Sequence, residues 1–578
     1  MDDRLATLER KVSGLASAVT ALERRLVQLE SNRIAPAAAA AETTPSVAAP
    51  DAPDLLVESS TEITPVYVLS LVGRTCLILG GAYVLRALTD AGTLPRAGGT
   101  ALGILYAIAW LVPIYRLNAS RQRLKAASYG VAMALIAFPI LWEATVRENV
   151  KLLSPVEAAL AMGGVTTVAL VVAWLRRIQD LAWIVSMSGL MATLLFLTAL
   201  GPVPSFGFYL AFLGVVALWM GYALDWIWLR WPIAFVADLC LLVMAGAVTG
   251  VWQREGAGTV MVLQLVMFAG YLISIAVRTL WRSRDVIPFE VMQTVALLVA
   301  AFGGAVYIMR ATGAGATGLG VASLVFGVGS YGVAFAFVDR SEGHWKNFVF
   351  YSSLAIVFVL AGFGLTAGAG VQAMAWSGLA VAAALLGYRY SAAAVGAHSA
   401  IYLVAGAVAS GLFAFISDAF TASVTKSWTP MSLPAWIVLA SAAVSAAIPV
   451  TGEPQFRGRP ARIPQIVVVV MLLAGAGAVA VGYSVPVAAG VPGQSADAAV
   501  VAAIRTVVVG AAVLLLAWTG GRGVFAEGRW LMYVVLVLGG IKLLTEDFPA
   551  GRPATLVLSL AVYGAALIVA PRWVRRSE

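Results

Sequence analysis

The sequence predicts an all-α fold: a polytopic transmembrane bundle of about 18 spans, preceded by a cytoplasmic coiled-coil helix. Three observations predict it. Of 578 residues, 61% are hydrophobic and 12% charged, about half the charged share of an ordinary soluble domain. The apolar residues gather into runs of roughly 20, the length that crosses about 30 Å of hydrocarbon as a helix. The basic residues favour alternate connections between those runs, as oriented insertion requires.

The first element is the helix over residues 4–30. Leu5, Leu8, Val12, Leu15, Val19, Leu22, Leu26 and Leu29 alternate steps of three and four through four heptads, the seam of a coiled coil. Across a parallel partner Arg4 would face Glu9 and Arg25 would face Glu30. The stretch reads as a self-association handle, so a homo-oligomer through residues 4–30 is expected. The alternative is a single amphipathic helix lying on the membrane or docking on an unrelated coil. Residues 32–63, with "APAAAAAETTPSVAAPDAPD", have the composition of a disordered tether. Nothing in 1–63 reads as a removable signal peptide, because no basic-then-apolar start is present.

The polytopic domain covers residues 64–573, from a first span centred near Ile78 to a last near Ala561. The thirteenth, fourteenth, sixteenth and seventeenth centre near Ala405, Leu439, Val509 and Val537. Connections are short; the longest external one covers about residues 416–431. Counting Lys and Arg by connection gives 27 on the side of the N-terminal segment and the 574–578 tail, against 7 on the other. Positive loops resist translocation, so both termini are expected in the cytoplasm. The formal charge of +9 is then a topology signal rather than a nucleic-acid footprint. Cys76 and Cys240, the two cysteines, are too few for a disulfide framework or a thiolate metal site.

Basic residues inside spans are costly, about 2.5 to 3.5 kcal/mol at a helix centre, and should face protein, water or a partner charge. Four are found: Arg74 and Arg86 in the first span, Arg505 in the sixteenth and Lys542 in the seventeenth. With this topology Arg86, Arg505 and Lys542 lie toward the external half, as do Glu143, Glu157, Glu546 and Asp547. The sharpest expectation is one polar cavity open to the external side, lined by the first, third, fourth, sixteenth and seventeenth spans. The plain alternative is that these groups snorkel to the headgroups. Asp238 and His398 lie within the seventh and thirteenth spans and Glu290 near the inner end of the ninth. They suggest a proton path, with a hydrogen-bonded structural role as the alternative. The glycines of "GAGATGLG" and "GFGLTAGAG", with Gly327, Gly329 and Gly332, point to close helix packing. No zinc motif, nucleophile elbow, phosphate loop or paired-carboxylate pattern occurs, so no cofactor, metal or enzymatic reaction is indicated.

Two stretches, "GRTCLILGGAYVLRALTDAGTLP" and "IKLLTEDFPAGRPATLVLSLAVYGAALIVAPRW", resemble the uncharacterised bacterial membrane-protein family carrying domain of unknown function 2339. The resemblance implies an N-terminal coil, a linker and many spans. It matches Arg86, Asp90, Gly92 and Pro95 in the first hairpin, and Lys542, Asp547 and Ser559 in the last. Leu556 stands where the family often has an Arg, three residues before that Ser. The family supplies no biochemical role. Three functions are compatible with the residues: a transporter or flippase for a polar or lipid-linked envelope molecule, a self-associating scaffold for envelope assembly, and, least supported, an intramembrane lipid enzyme. Membrane lipids and a polar or lipid-linked ligand are the expected partners, with no nucleic acid.

Overall fold

A computed structural model describes residues 65–116, 122–147, 151–249, 256–338, 345–390, 393–448 and 463–575. The predicted coil and linker lie outside them. Among the described residues every regular element is a helix, as the apolar runs require, because in lipid each backbone N–H and C=O must be satisfied within its own segment.

The first twelve predicted spans are long apolar helices: α1 (Leu69–Asp90), α2 (Arg96–Arg116), α3 (Arg123–Val146), α4 (Pro155–Arg176), α5 (Gln179–Leu200), α6 (Pro204–Leu224), α7 (Arg230–Val248), α8 (Ala257–Trp281), α9 (Pro288–Ala311), α10 (Thr317–Ala336), α11 (Trp345–Thr366) and α12 (Ala369–Arg389). The thirteenth is broken. Its halves α13 (Ala394–Ser410) and α14 (Leu412–Thr421) meet at 73°, with Gly411 between them at φ +78°, a conformation glycine adopts without strain. The fourteenth is the short helix α15 (Leu433–Ala447). Then come α16 (Ile463–Ala488) and α17 (Ala498–Gly521), and α18 (Gly528–Lys542), which widens into a π turn over Leu543–Asp547. The chain closes with α19 (Pro553–Val574). Among the described residues, 15 helices are long and apolar enough to cross a membrane, or 16 with the bent pair as one span. This is a multi-pass membrane protein.

Its outer surface agrees. Leu77, Leu160, Leu265, Val487 and Val537 are exposed, a display that water would penalise and lipid accepts. Inside, one apolar core runs through the first nine helices, around Phe196, Phe206, Tyr209 and Met267, and a second gathers α11 to α17 around Tyr402, Leu412 and Val481. The glycine expectation holds at particular positions. A Cβ on Gly327 would lie 3.2 Å from Ala355 O and one on Gly362 3.0 Å from Gly320 O, so α10 and α11 touch through their backbones. Gly329 and Gly332 meet nothing within 4 Å and take no part in that contact.

Candidate functional site

The irregular helices converge. α14 ends at Thr421, and a helix that stops leaves its last carbonyls without intrahelical donors and concentrates partial negative charge there. Arg505, about two turns inside α17, supplies the donors. Its Nε donates to Ala419 O at 2.7 Å, and its Nη2 to Ala422 O at 2.8 Å and Asp418 O at 3.2 Å. Its Nη1 donates to Glu546 Oε1 at 2.6 Å, and the Trp428 ring lies 5.2 Å from the guanidinium carbon. Only 4% of the side chain is exposed. A guanidinium offers a planar fork of donors, and this fork both ends the broken helix and ties it to α18.

The second cation is one step away. Lys542 Nζ donates to Ala502 O at 2.5 Å, Thr506 Oγ1 at 2.6 Å and Asp547 Oδ2 at 2.5 Å, and lies 3.5 Å from Glu546 Oε2. Asp547 also accepts from Thr506 Oγ1 at 3.0 Å and Ser559 Oγ at 2.6 Å. Side chains five residues apart point roughly 140° apart on an α-helix. The π turn over Leu543–Asp547 removes that offset and lets Lys542 meet Asp547. Gly551 closes the turn toward α19, since a Cβ there would collide with Asp547 O. Two cations and two anions form one neutral cluster.

The connection after α14 covers it. Asp418 Oδ2 accepts from Thr429 N at 2.8 Å and Thr429 Oγ1 at 2.6 Å. Gly493 N donates to Val424 O at 2.8 Å, and Gly493, at φ +82°, would place a Cβ 2.9 Å from Ser427 N. Arg552 Nη1 joins Asp497 Oδ2 at 3.0 Å in the same layer. Ser432 donates to Ser410 O at the break and accepts from Ala435 N to begin α15.

The predicted site residues therefore divide. Arg505, Lys542, Glu546 and Asp547 come together. Arg86 and Glu143 pair at 2.8 Å, joined by Asp90 and Arg147, but this group is separate: among the described residues no hydrogen bond or ion pair links it to the Arg505 cluster. Its side chains are 26% to 75% exposed, the disposition of boundary charges. Glu157 accepts from Ser154 N and Oγ and caps the start of α4. Arg74 is exposed on α1. One cavity shared by both ends of the chain is thus not what these contacts build. The reason is in the packing: α17 holds α18 and α19, and α1 is not among its main neighbours.

The proton-path candidates also separate. Asp238 Oδ1 accepts from Gln293 Nε2 at 3.0 Å, and His398 Nδ1 lies 3.0 Å from Tyr331 OH, itself 3.0 Å from Tyr402 OH. Glu290 is fully buried: Arg278 Nη1 reaches it at 2.9 Å and Tyr222 OH at 2.5 Å. Sequence reasoning missed Thr506, Trp428 and the carbonyls of α14. Gly411 inside a span and Asp418 near its end were the signals available. Among the described residues no group of His, Cys, Asp and Glu could hold a metal ion. No family model, curated protein or solved structure matches the chain.

Proposed function

We propose that this chain is a transporter or flippase-like protein for a polar or lipid-linked molecule of the bacterial envelope, working in the inner membrane. Reading the bent pair, α15 and α18 as one crossing each beside the 15 long helices would give the 18 spans expected from the sequence, an even number that would leave both termini in the cytoplasm with the 27-to-7 basic bias. In that frame the Arg505 cluster lies toward the external face, beside a discontinuous helix of the kind that transporters use at their sites.

The observation that carries the reading is the uneven burial of the four charges. Arg505, Lys542 and Asp547 are 4%, 16% and 2% exposed, while Glu546, the counterion that touches both cations, is 26% exposed. Glu546 is the group an incoming anion would displace first. A phosphate or carboxylate headgroup would take its place between Arg505 and Lys542, with charge balance kept as Glu546 turns to water. Membrane lipids are the surroundings and the anionic molecule is the ligand.

Native mass spectrometry of the gently extracted full-length protein tests this. The wild type should carry a discrete anionic adduct, Glu546→Gln should carry more of it, and Lys542→Gln should lose it at unchanged abundance. Equal mass for all three overturns the reading. The heptads Leu5 to Leu29 favour the second reading, a self-associating scaffold. A dimer or trimer without adduct, reverting to monomer on deletion of residues 1–31, would establish that one instead.

A further inference from the structure

Away from this cluster, α6 to α9 enclose a file of polar side chains. At one end Glu290 receives Arg278, Tyr222 and the backbone N–H of Ile287, and the Arg230 guanidinium carbon lies 4.4 Å from the Phe289 ring centre. One turn along α9, Gln293 meets Asp238, with Tyr271 of α8 within electrostatic reach of that carboxylate. Seven residues further along both α7 and α8, about 10 Å of helix, the Gln264 amide lies beside Ala245 and Gly304; a Cβ on Gly304 would sit 2.5 Å from Gln264 Nε2.

The file is incompletely satisfied. Among the described residues Arg230 Nε, Tyr271 OH and both amide atoms of Gln264 are buried without a partner, and Tyr271 and Gln264 are each 1% exposed. Leaving a buried polar atom unpaired costs about 1 to 3 kcal/mol, and interiors meet that cost with ordered water. Asp238 has a neutral amide as its partner, whereas Glu290 has Arg278. The other titratable groups on these helices at this level are Tyr222 from α6, Tyr271 and Arg278 from α8, Glu290 from α9, and Arg230 with the buried thiol of Cys240 on its own helix; α5 contributes Asp180, exposed at its start. The two arginines gather at Glu290, so the cation that Asp238 lacks must come from outside. Its carboxylate and one hydroxyl are too few oxygens for a metal cation that takes about six. A proton needs one.

We propose that Asp238 is a proton-binding site, reached through water held by Tyr271 and Gln264. A hydrated proton passes along the file to Asp238 Oδ2, leaving a neutral carboxylic acid and a water molecule, and release reverses the step. Oδ1 keeps its bond from Gln293 throughout. The inference stands on this packing and does not depend on how the Arg505 cluster is used.

Infrared difference spectroscopy of the full-length protein in lipid bilayers tests it. A pH step should reveal a carboxylic acid band that titrates, moves promptly in heavy water and is missing from Asp238→Asn. Gln264→Leu should keep the band but slow its isotope shift by roughly tenfold, since a sealed group exchanges only when the structure opens. A spectrum unchanged by Asp238→Asn overturns the proposal. So does a wild-type band that exchanges no faster than the backbone amides of the same helices, a comparison that needs no variant.

Discussion

The Arg86 group and the Arg505 group contain the same chemistry, arginine with nearby carboxylates in the same predicted half of the bilayer, and the protein uses them in opposite ways. Arg86 is 45% exposed and pairs at the rim of the bundle. Arg505 is 4% exposed and ends a helix. What separates them is the company of unsatisfied backbone. α3 reaches its boundary at Val146 with Ala144 O taken by the backbone N–H groups of Leu152 and Leu153 in the connection that follows, whereas α14 stops beneath a covering loop and against α17, where a side chain supplies the donors. Residue type marks a cost, and the neighbouring backbone decides whether the cost is met by burial or by exposure.

The largest expected effect is at Arg505. Replacing it with Met takes the donor from Ala419 O and Ala422 O and leaves Glu546 with Lys542 alone, and thermal unfolding of the detergent-solubilised protein should show a loss of about 3 to 5 kcal/mol, as for a broken buried ion pair. A loss no larger than that at Arg86 would erase the distinction. Asp547→Asn keeps the shape but removes the charge facing Lys542, and should cost about 2 to 3 kcal/mol by the same measurement. Ser559→Ala removes one hydrogen bond to a charged acceptor, and a loss of about 1.5 kcal/mol is expected. Arg86→Gln should change stability by less than about 1 kcal/mol, and the change should shrink further in high salt. If salt instead shifts Arg505→Met and Arg86→Gln alike, the Arg505 cluster is open to solvent and the comparison fails.

Much of this arrangement was legible in the sequence. Span length is set by bilayer thickness, so apolar runs locate helices directly, and Arg505, Lys542, Glu546 and Asp547 stand out because charge is rare there. Their mutual contact was not legible, since Glu546 reaches Arg505 only after α18 packs on α17. The break at Gly411 was hidden because Ala394 to Thr421 reads as one continuous apolar run. The π turn was hidden for a different reason: hydropathy does not distinguish hydrogen-bonding periods, and Lys542 to Asp547 fits no α-helical pairing. Gln264 and Tyr271 escaped notice because a neutral polar residue within a span is common, and its lack of partners is visible only in three dimensions. The pairing of Arg86 with Glu143 runs the other way: both were singled out, and the structure assigns them to the rim.

The π turn over Leu543–Asp547 also sets a register. Such a turn holds one residue more than an α-helical turn, so Lys542 and Asp547, five residues apart, meet as residues four apart do in an ordinary helix. Deleting Thr545 would restore an uninterrupted helix in which the lysine and the acid stand four residues apart, still on one face, with every apolar side chain of α18 left in place. A hydropathy profile would scarcely register the change, because the residue lost is one exposed threonine.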